Sequence, residues 1–330
     1  MRVSVIPLWW AWALAATGSS VSAGEMLRIE SSLDAMGSVY TIVAYGEDRN
    51  VLQSAIDLSF EEVKRLDDLL SNYKPRSEWS LVNREAGSRP VRVGPELFGL
   101  VEACLQYSRS SDGAFDITVG PLVRTWGFFR GSGRLPHRAE IRTALAKVGY
   151  RNVILNRDNL TIQYARPGVE MDPGGIGKGY AVDRIVEILR SRGVASALVS
   201  AGGSSIYGIG APPGEKGWSV KIRHPKDPNR NVGEVTLNNS SMATSGTSEK
   251  FFVSGGKLYT HIFDPRTGYP AEGMLSVSVL APKAIDSEAW TKPMFILGRT
   301  WASRHADQRK HLTKIFFCED KTETRCAWLQ

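Results

Sequence analysis

The amino-acid sequence predicts an α+β fold. Strand-like and helix-like segments are mixed without a regular βαβ alternation. No repeat, low-complexity tract or Pro/Ser-rich linker divides the chain, and 330 residues are enough to bury a substantial core.

The elements follow in order. Leu27–Gly46 reads as two strands, the second being Val39–Tyr45. Val51–Leu70 is the clearest amphipathic helix, with Leu52, Ile56, Phe60, Val63, Leu66 and Leu70 close to a 3.6-residue period. Pro95 opens a second helix at a first-turn position, continuing to about Arg109. A third, Arg138–Val148, stops at Gly149. The runs Asn152–Leu155 and Leu160–Tyr164 flank Asn156-Arg157-Asp158-Asn159 and predict a hairpin. Strands are expected near Ser196–Ile209, Trp218–Arg223, Gly233–Leu237 and Leu275–Leu280, with a last helix from about Ser287 to Leu297.

The first residues read as a secretory signal. Arg2 supplies the charge, Val5 to Ala16 the apolar stretch, and Val21-Ser22-Ala23 a cleavage site before Gly24. The expected organisation is therefore a signal peptide over 1–23 and one domain over 24–330, exported to the periplasm or another extracytoplasmic space. The apolar stretch is short and soon broken by Gly18-Ser19-Ser20, so no stable membrane span is expected after cleavage. Lysine and arginine number 41 against 34 acidic residues, a formal charge of +7. That excess is scattered rather than blocked, which argues against nucleic acid and suits a small anionic substrate. Of the three cysteines, Cys104 fits the apolar face of a helix, while Cys318 and Cys326 flank a polar segment. Oxidised, these two would bridge a terminal hairpin; reduced, they are two free thiols.

The most informative stretch is Met171–Asp183, MDPGGIGKGYAVD. Gly174, Gly175, Gly177 and Gly179 surround Lys178, and Ala181, Ile185, Ile188 and Leu189 then recur at helical spacing. Backbone N–H groups, a helix N-terminus and a fixed positive charge meet there, a combination suited to phosphate or pyrophosphate. A tight turn before an ordinary core helix is the alternative. No Gly-Lys-Ser/Thr follows, and the G-x-G-x-x-G register is wrong, so neither common nucleotide loop is indicated. Two further segments carry polar residues that packing does not require. GAFDITVGPL sets Asp116 among apolar residues beside Thr118, and HIFDPRTG gathers His261, Asp264 and Arg266.

Ala35-Met36-Gly37-Ser38, Ser71-Asn72-Tyr73, GAFDITVGPL, DPGGIGKGYAVD, Ala201-Gly202-Gly203, Thr244-Ser245-Gly246, HIFDPRTG and the helix before Phe295-Ile296-Leu297-Gly298 occur in that order. Together they resemble the FAD:protein FMN transferase family, the ApbE-type flavin transferases, from about Met36 to Gly298. The resemblance implies a single domain of largely antiparallel sheet packed with helices. It implies an enzyme that splits the FAD pyrophosphate, attaches FMN to a threonine of an acceptor flavoprotein and releases AMP. FAD contacts would fall on Met36, Tyr73, Ala114, Phe115, Asp116, Asp172, Lys178 and Ile262. His261 is the candidate for activating the acceptor hydroxyl, because imidazole titrates near neutrality; a merely orienting hydrogen bond is the alternative.

The chain departs from the family pattern at two places. Ser204-Ser205 follow Ala201-Gly202-Gly203 where Asp or Asn is usual. The late helix should supply magnesium with the carboxylate and hydroxyl of Asp-x-x-x-Thr, together with a backbone carbonyl that maps to Gly175. Counting back from Gly298 gives Glu288 and Lys292 instead. A charged lysine donates only, so it cannot ligate a metal; either it stands where the ion's charge would sit and neutralises a pyrophosphate directly, or Glu288 and Lys292 form a solvent-facing i,i+4 pair. FAD as substrate is therefore expected with or without magnesium. Hydrolysis of FAD with water as acceptor, and a non-catalytic FAD-binding protein, are the competing functions.

Overall fold

A computed structural model describes residues 26–129, 131–320 and 324–329. The signal reading over Met1–Ala23 lies outside them. Strand β1 (Leu27–Ala35) and strand β2 (Ser38–Gly46) form a hairpin whose two turn residues, Met36 and Gly37, both take positive φ, 52° and 69°. That is the backbone a two-residue hairpin turn demands, and it holds Met36 in a conformation that costs a side-chain-bearing residue energy. Helix α1 (Arg49–Leu70) follows, with the Asp48 carboxylate accepting from the amides of Asn50 and Val51. It buries Leu52, Ile56, Val63, Leu66 and Leu70 as the periodicity requires, while Phe60 is only half-buried.

Helix α2 (Glu78–Glu85), short strand β3 (Val91–Arg92), helix α3 (Pro95–Ser110), helix α4 (Gly120–Thr125) and helix α5 (Arg138–Leu145) come next. The expected hairpin is present as β4 (Val153–Asn156) and β5 (Thr161–Tyr164), with β3 on the other edge of β5. Helix α6 (Gly177–Ser191) leads to β6 (Ser196–Ala201), β7 (Ser205–Ile209), β8 (Trp218–His224), β9 (Asp227–Leu237) and β10 (Ser240–Gly246). Then come β11 (Phe251–Ser254), β12 (Lys257–Thr260), β13 (Met274–Ala281), helix α7 (Ala284–Arg304), β14 (Lys314–Glu319) and β15 (Arg325–Trp328). None of the described helices is long and apolar enough to cross a membrane.

The main sheet has eight strands in the order β1-β2-β6-β7-β10-β13-β14-β15, every neighbouring pair antiparallel. One face carries α1, α6 and α7; the β8–β9 hairpin closes part of the other. Alternation along β2 shows this division: Tyr40, Ile42 and Ala44 join the helix-side core, and Val43 joins the opposite one. Strand β13 is covered on both faces and buried along its whole length. A second apolar cluster, around Trp79, Leu97, Phe115, Met171 and Ile176, ties α2, α3 and the three-stranded sheet to the glycine loop. Cys318 and Cys326 face each other across β14 and β15 and are joined as a disulfide, which decides between the two cysteine alternatives.

Helix α7 begins at Ala284, three residues before the sequence-based start, because Asp183 on α6 accepts from the amides of Ala284 and Ile285 (2.7 and 2.9 Å). A cap supplied from a distant helix leaves no local signature. At Gly298 the backbone turns to φ 75°, and the first helical segment ends close to the expected Leu297.

Candidate functional site

The site is assembled where the glycine loop meets α7. Upstream of the loop, Asn83 on α2 holds Met171 by both backbone groups, donating to its carbonyl and accepting from its amide, each at 2.8 Å. The Asp172 amide donates to the Ile117 carbonyl at 2.6 Å, and the Asp172 carboxylate accepts from Asn72 and from the Gly174 amide, both at 2.8 Å. Burial pushes the Asp172 carboxyl above its usual range, against those two donors. One tight turn over Pro173–Gly175 then delivers the chain to α6.

Gly179 explains the spacing of the glycines most directly. Its amide donates to Glu288 Oε2, and its α-carbon lies so close to Ala284 that a Cβ would collide with that residue's carbonyl oxygen. Helices α6 and α7 therefore touch backbone to backbone here, which only glycine permits.

Lys178, His261, Glu288 and Lys292, taken from three different places in the motif order, line one small cavity of about 30 Å³ with Gly174, Ser204, Ser205, Ser245, Glu249 and Thr291. Lys178 Nζ donates to Ser204 Oγ. Ser205 Oγ is buried without a hydrogen-bond partner and faces the same space. His261 Nδ1 lies 3.1 Å from the Lys250 carbonyl. A carbonyl only accepts, so the proton sits on Nδ1 and Nε2 keeps its lone pair. Burial first, and then Lys292 and Lys250, push the imidazole below the usual histidine range, against its Lys250 hydrogen bond and the charge of Glu249. Burial therefore favours the neutral imidazole.

The remaining candidates fall into two groups. Met36 borders α6, its methyl 3.4 Å from where a Gly177 Cβ would stand, and its sulfur accepts from Tyr40 at 3.3 Å. Tyr73 is exposed and stacks on Phe129 at 4.7 Å. Ala114, Phe115 and Ile262 are buried beneath. Asp116 is buried too, accepting from the amide and hydroxyl of Thr118 (2.8 and 2.6 Å) and from the Tyr150 amide (2.6 Å), so protein donors meet both carboxylate oxygens.

Sequence reasoning missed Glu249, which comes from an unremarkable turn, and Asn83, on a helix it did not expect. Ser204 was visible only as a departure from a pattern.

The magnesium ion that the resemblance implies does not suit these residues. Glu288 Oε2 is taken by the Gly179 amide, and Lys292 Nζ stands 4.0 Å from Oε1 and 3.3 Å from the Glu288 carbonyl. Lys292 also fills the space beside Gly175, its Cε 3.5 Å from where a Cβ would stand. The Thr291 hydroxyl is buried between Ser245 Oγ (2.8 Å) and the Glu288 carbonyl (2.7 Å). Asp286 is bonded to Tyr107 at 2.5 Å, away from the cavity. No cluster of three or more His, Cys, Asp or Glu side chains arranged to hold a metal occurs among the described residues. Magnesium needs near-octahedral oxygen, and two ammonium groups line this space instead.

Fold and cleft together describe an α+β protein whose cleft gathers two ammonium groups, an imidazole and a helix N-terminus, groups whose chemistry suits a phosphate. Comparison with known proteins narrows the class. The ApbE family model matches residues 36–317. An FAD:protein FMN transferase of Klebsiella pneumoniae (strain 342) is 33% identical over 288 residues, covering 87% of this chain and 88% of its own. One of Salmonella typhimurium is 33% identical over 304 residues, covering 89% and 85%. The crystal structure of the ApbE protein of Thermotoga maritima superposes with a TM-score of 0.84 at 30% identity, over 91% of this chain and 96% of that one. The chain belongs to the ApbE family.

Proposed function

We infer that this chain is an FAD:protein FMN transferase, cleaving the FAD pyrophosphate and joining FMN to a threonine of an acceptor flavoprotein. The observation that carries the reading is the convergence of Lys178, Lys292 and a neutral His261 on one cleft at the glycine loop. Those groups divide the work. Met36 and Tyr73 offer polarisable and aromatic surface to a flavin or adenine ring. Asp172, fixed by Asn72 and Gly174, accepts from a ribose or base donor. Lys178 and the start of α6 hold the pyrophosphate.

The transfer balances without a redox step. The threonine oxygen bonds to the FMN phosphorus as the bond from that phosphorus to the bridging oxygen breaks. The bridging oxygen leaves with AMP, and the hydroxyl proton passes to His261 Nε2. Positioning and charge neutralisation supply the rate.

Incubation of the purified protein with FAD and a candidate flavoprotein, read by in-gel flavin fluorescence and AMP release, tests the function. Covalent FMN on the acceptor with one AMP per flavin is expected. AMP and free FMN without labelled acceptor would make the chain an FAD pyrophosphatase, and neither product would leave an FAD-binding protein.

The leader-like pattern over Met1–Ala23 supports export, so the acceptor would be an extracytoplasmic flavoprotein. Mature protein from a secreting host is expected to begin at or near Gly24. Protein retained in the cytoplasm with Met1 intact would place the reaction there instead.

A further inference from the structure

Lys292 and Glu288 form an unusual pair at the base of the cleft. Both stand on α7, i and i+4, with Glu288 only 2% exposed at its side chain and Lys292 21%. One carboxylate oxygen, Oε2, is bound by the Gly179 amide. The other, Oε1, is buried with no hydrogen-bond partner, and the ammonium is 4.0 Å away, beyond hydrogen-bond reach. A surface Glu–Lys pair closes for little reason and little gain. A buried one left open, beside a second unpartnered oxygen at Ser205, leaves the ammonium with donors to spare, and Lys178 faces it across the same cavity.

We propose that Lys292 is the built-in counter-cation of the pyrophosphate subsite, so that FAD binding and FMN transfer in this chain need no divalent metal. The proposal rests on the transferase reading for its substrate. Three of its parts are geometric. The lysine stem lies against Gly175, its Cε at ordinary contact distance (3.5 Å) from where a Cβ would stand, so the side chain runs alongside the glycine loop. Glu288, fixed to α6 through Gly179, anchors the ammonium without consuming it. The Lys178 ammonium, tied to Ser204, supplies the second positive group lining the same cavity. A dianionic pyrophosphate entering between the two ammonium groups meets one formal charge from each. A metal ion at the same place would have to displace Lys292 and lie beside Lys178.

The test separates this proposal from the transferase reading because three of its four arms need no acceptor. FAD titration by flavin fluorescence quenching is expected to give the same affinity in excess chelator and in millimolar magnesium. Electron paramagnetic resonance with manganese is expected to show free ion only, with and without FAD. Lys292→Met should fold, with an unchanged far-ultraviolet spectrum, and lose about tenfold to hundredfold in FAD affinity, not restored by magnesium. If that variant does not fold, Glu288→Asp with Lys292→Thr, which places an oxygen ligand set at the same positions, serves in its place. It should bind manganese and acquire magnesium-dependent FAD binding. Stoichiometric manganese binding by the wild-type protein, or FAD affinity that collapses in chelator and returns with magnesium, would overturn the proposal. FMN transfer, the fourth arm, should likewise persist in chelator. Metal-independent FAD binding without transfer to any acceptor would leave Lys292 as the counter-cation and remove the transferase reading alone.

Discussion

Replacement of His261 by alanine is expected to lower FMN transfer by about 10²–10⁴-fold while FAD binding is retained, the range lost when a positioned general base is removed. Binding and proton transfer separate here because the imidazole reaches the cleft from the segment after β12, apart from the loop that carries Lys178 and Asp172. The pH profile should show the same group. His261 acts as a base only when neutral, and burial holds its pKa below the usual histidine range. Activity should therefore rise with pH through that lowered value and be level by neutral pH, instead of still rising between pH 6 and 7. The charged groups that set this position are Lys292 and Lys250, which favour the neutral form, and Glu249, which opposes them. Transfer by His261→Ala at the wild-type rate, or a wild-type profile still climbing steeply above pH 7, would take the proton-transfer role away from His261.

The elements legible in sequence were those with local causes. Helix α1 was readable because six apolar residues repeat along one stripe. The hairpin β4–β5 was readable from two short strand-like runs around four turn residues. Strand β10 was not, since SSMATSG has the composition of a loop; neighbours β7 and β13 on either side make it a strand. Helices α2 and α4 span only eight and six residues, too short for a period to show. The hairpin β11–β12 turns through Gly255-Gly256, a signal that was present and not used.

The site divides the same way. Motif order brought Lys178, His261, Glu288 and Lys292 forward before any geometry was known, and the fold places all four on one cavity. The polar ties that hold the glycine loop and α7 in place were out of reach because each joins residues far apart in the chain. Asn72 meets Asp172 across 100 residues, Asn83 meets Met171 across 88, and Asp183 caps a helix about 100 residues later. Long-range polar ties of this kind carry no periodicity, and a single sequence gives no sign of which donor finds which acceptor.

Gly179→Ala should have the largest effect on stability of any small substitution near the site, and its sign opposes helix propensity. Gly179 lies inside α6, where alanine would ordinarily be favoured over glycine by about 1 kcal/mol. In this fold the added Cβ would collide with the Ala284 carbonyl oxygen and lie 2.8 Å from that carbonyl carbon and 2.9 Å from Glu288 Oε2. Backbone cannot yield as a flexible side chain does, so α6 and α7 must part. Overpacking of this kind costs about 1–3 kcal/mol, a fall of roughly 2–5 °C in melting temperature at this size. FAD affinity should fall as well, because the same separation draws Lys178 away from Lys292 and breaks the Gly179–Glu288 hydrogen bond. Gly99, inside α3, is the internal control: a Cβ there meets nothing within 4 Å. Gly99→Ala should raise stability by about 0.4–1 kcal/mol, with FAD affinity unchanged. Differential scanning calorimetry of the two variants, followed by flavin titration, reads both outcomes. A Gly179→Ala protein that melts at or above the wild-type temperature would mean that α6 and α7 are not in backbone contact. The cleft built between them from Lys178, Glu288 and Lys292 would then have to be redrawn.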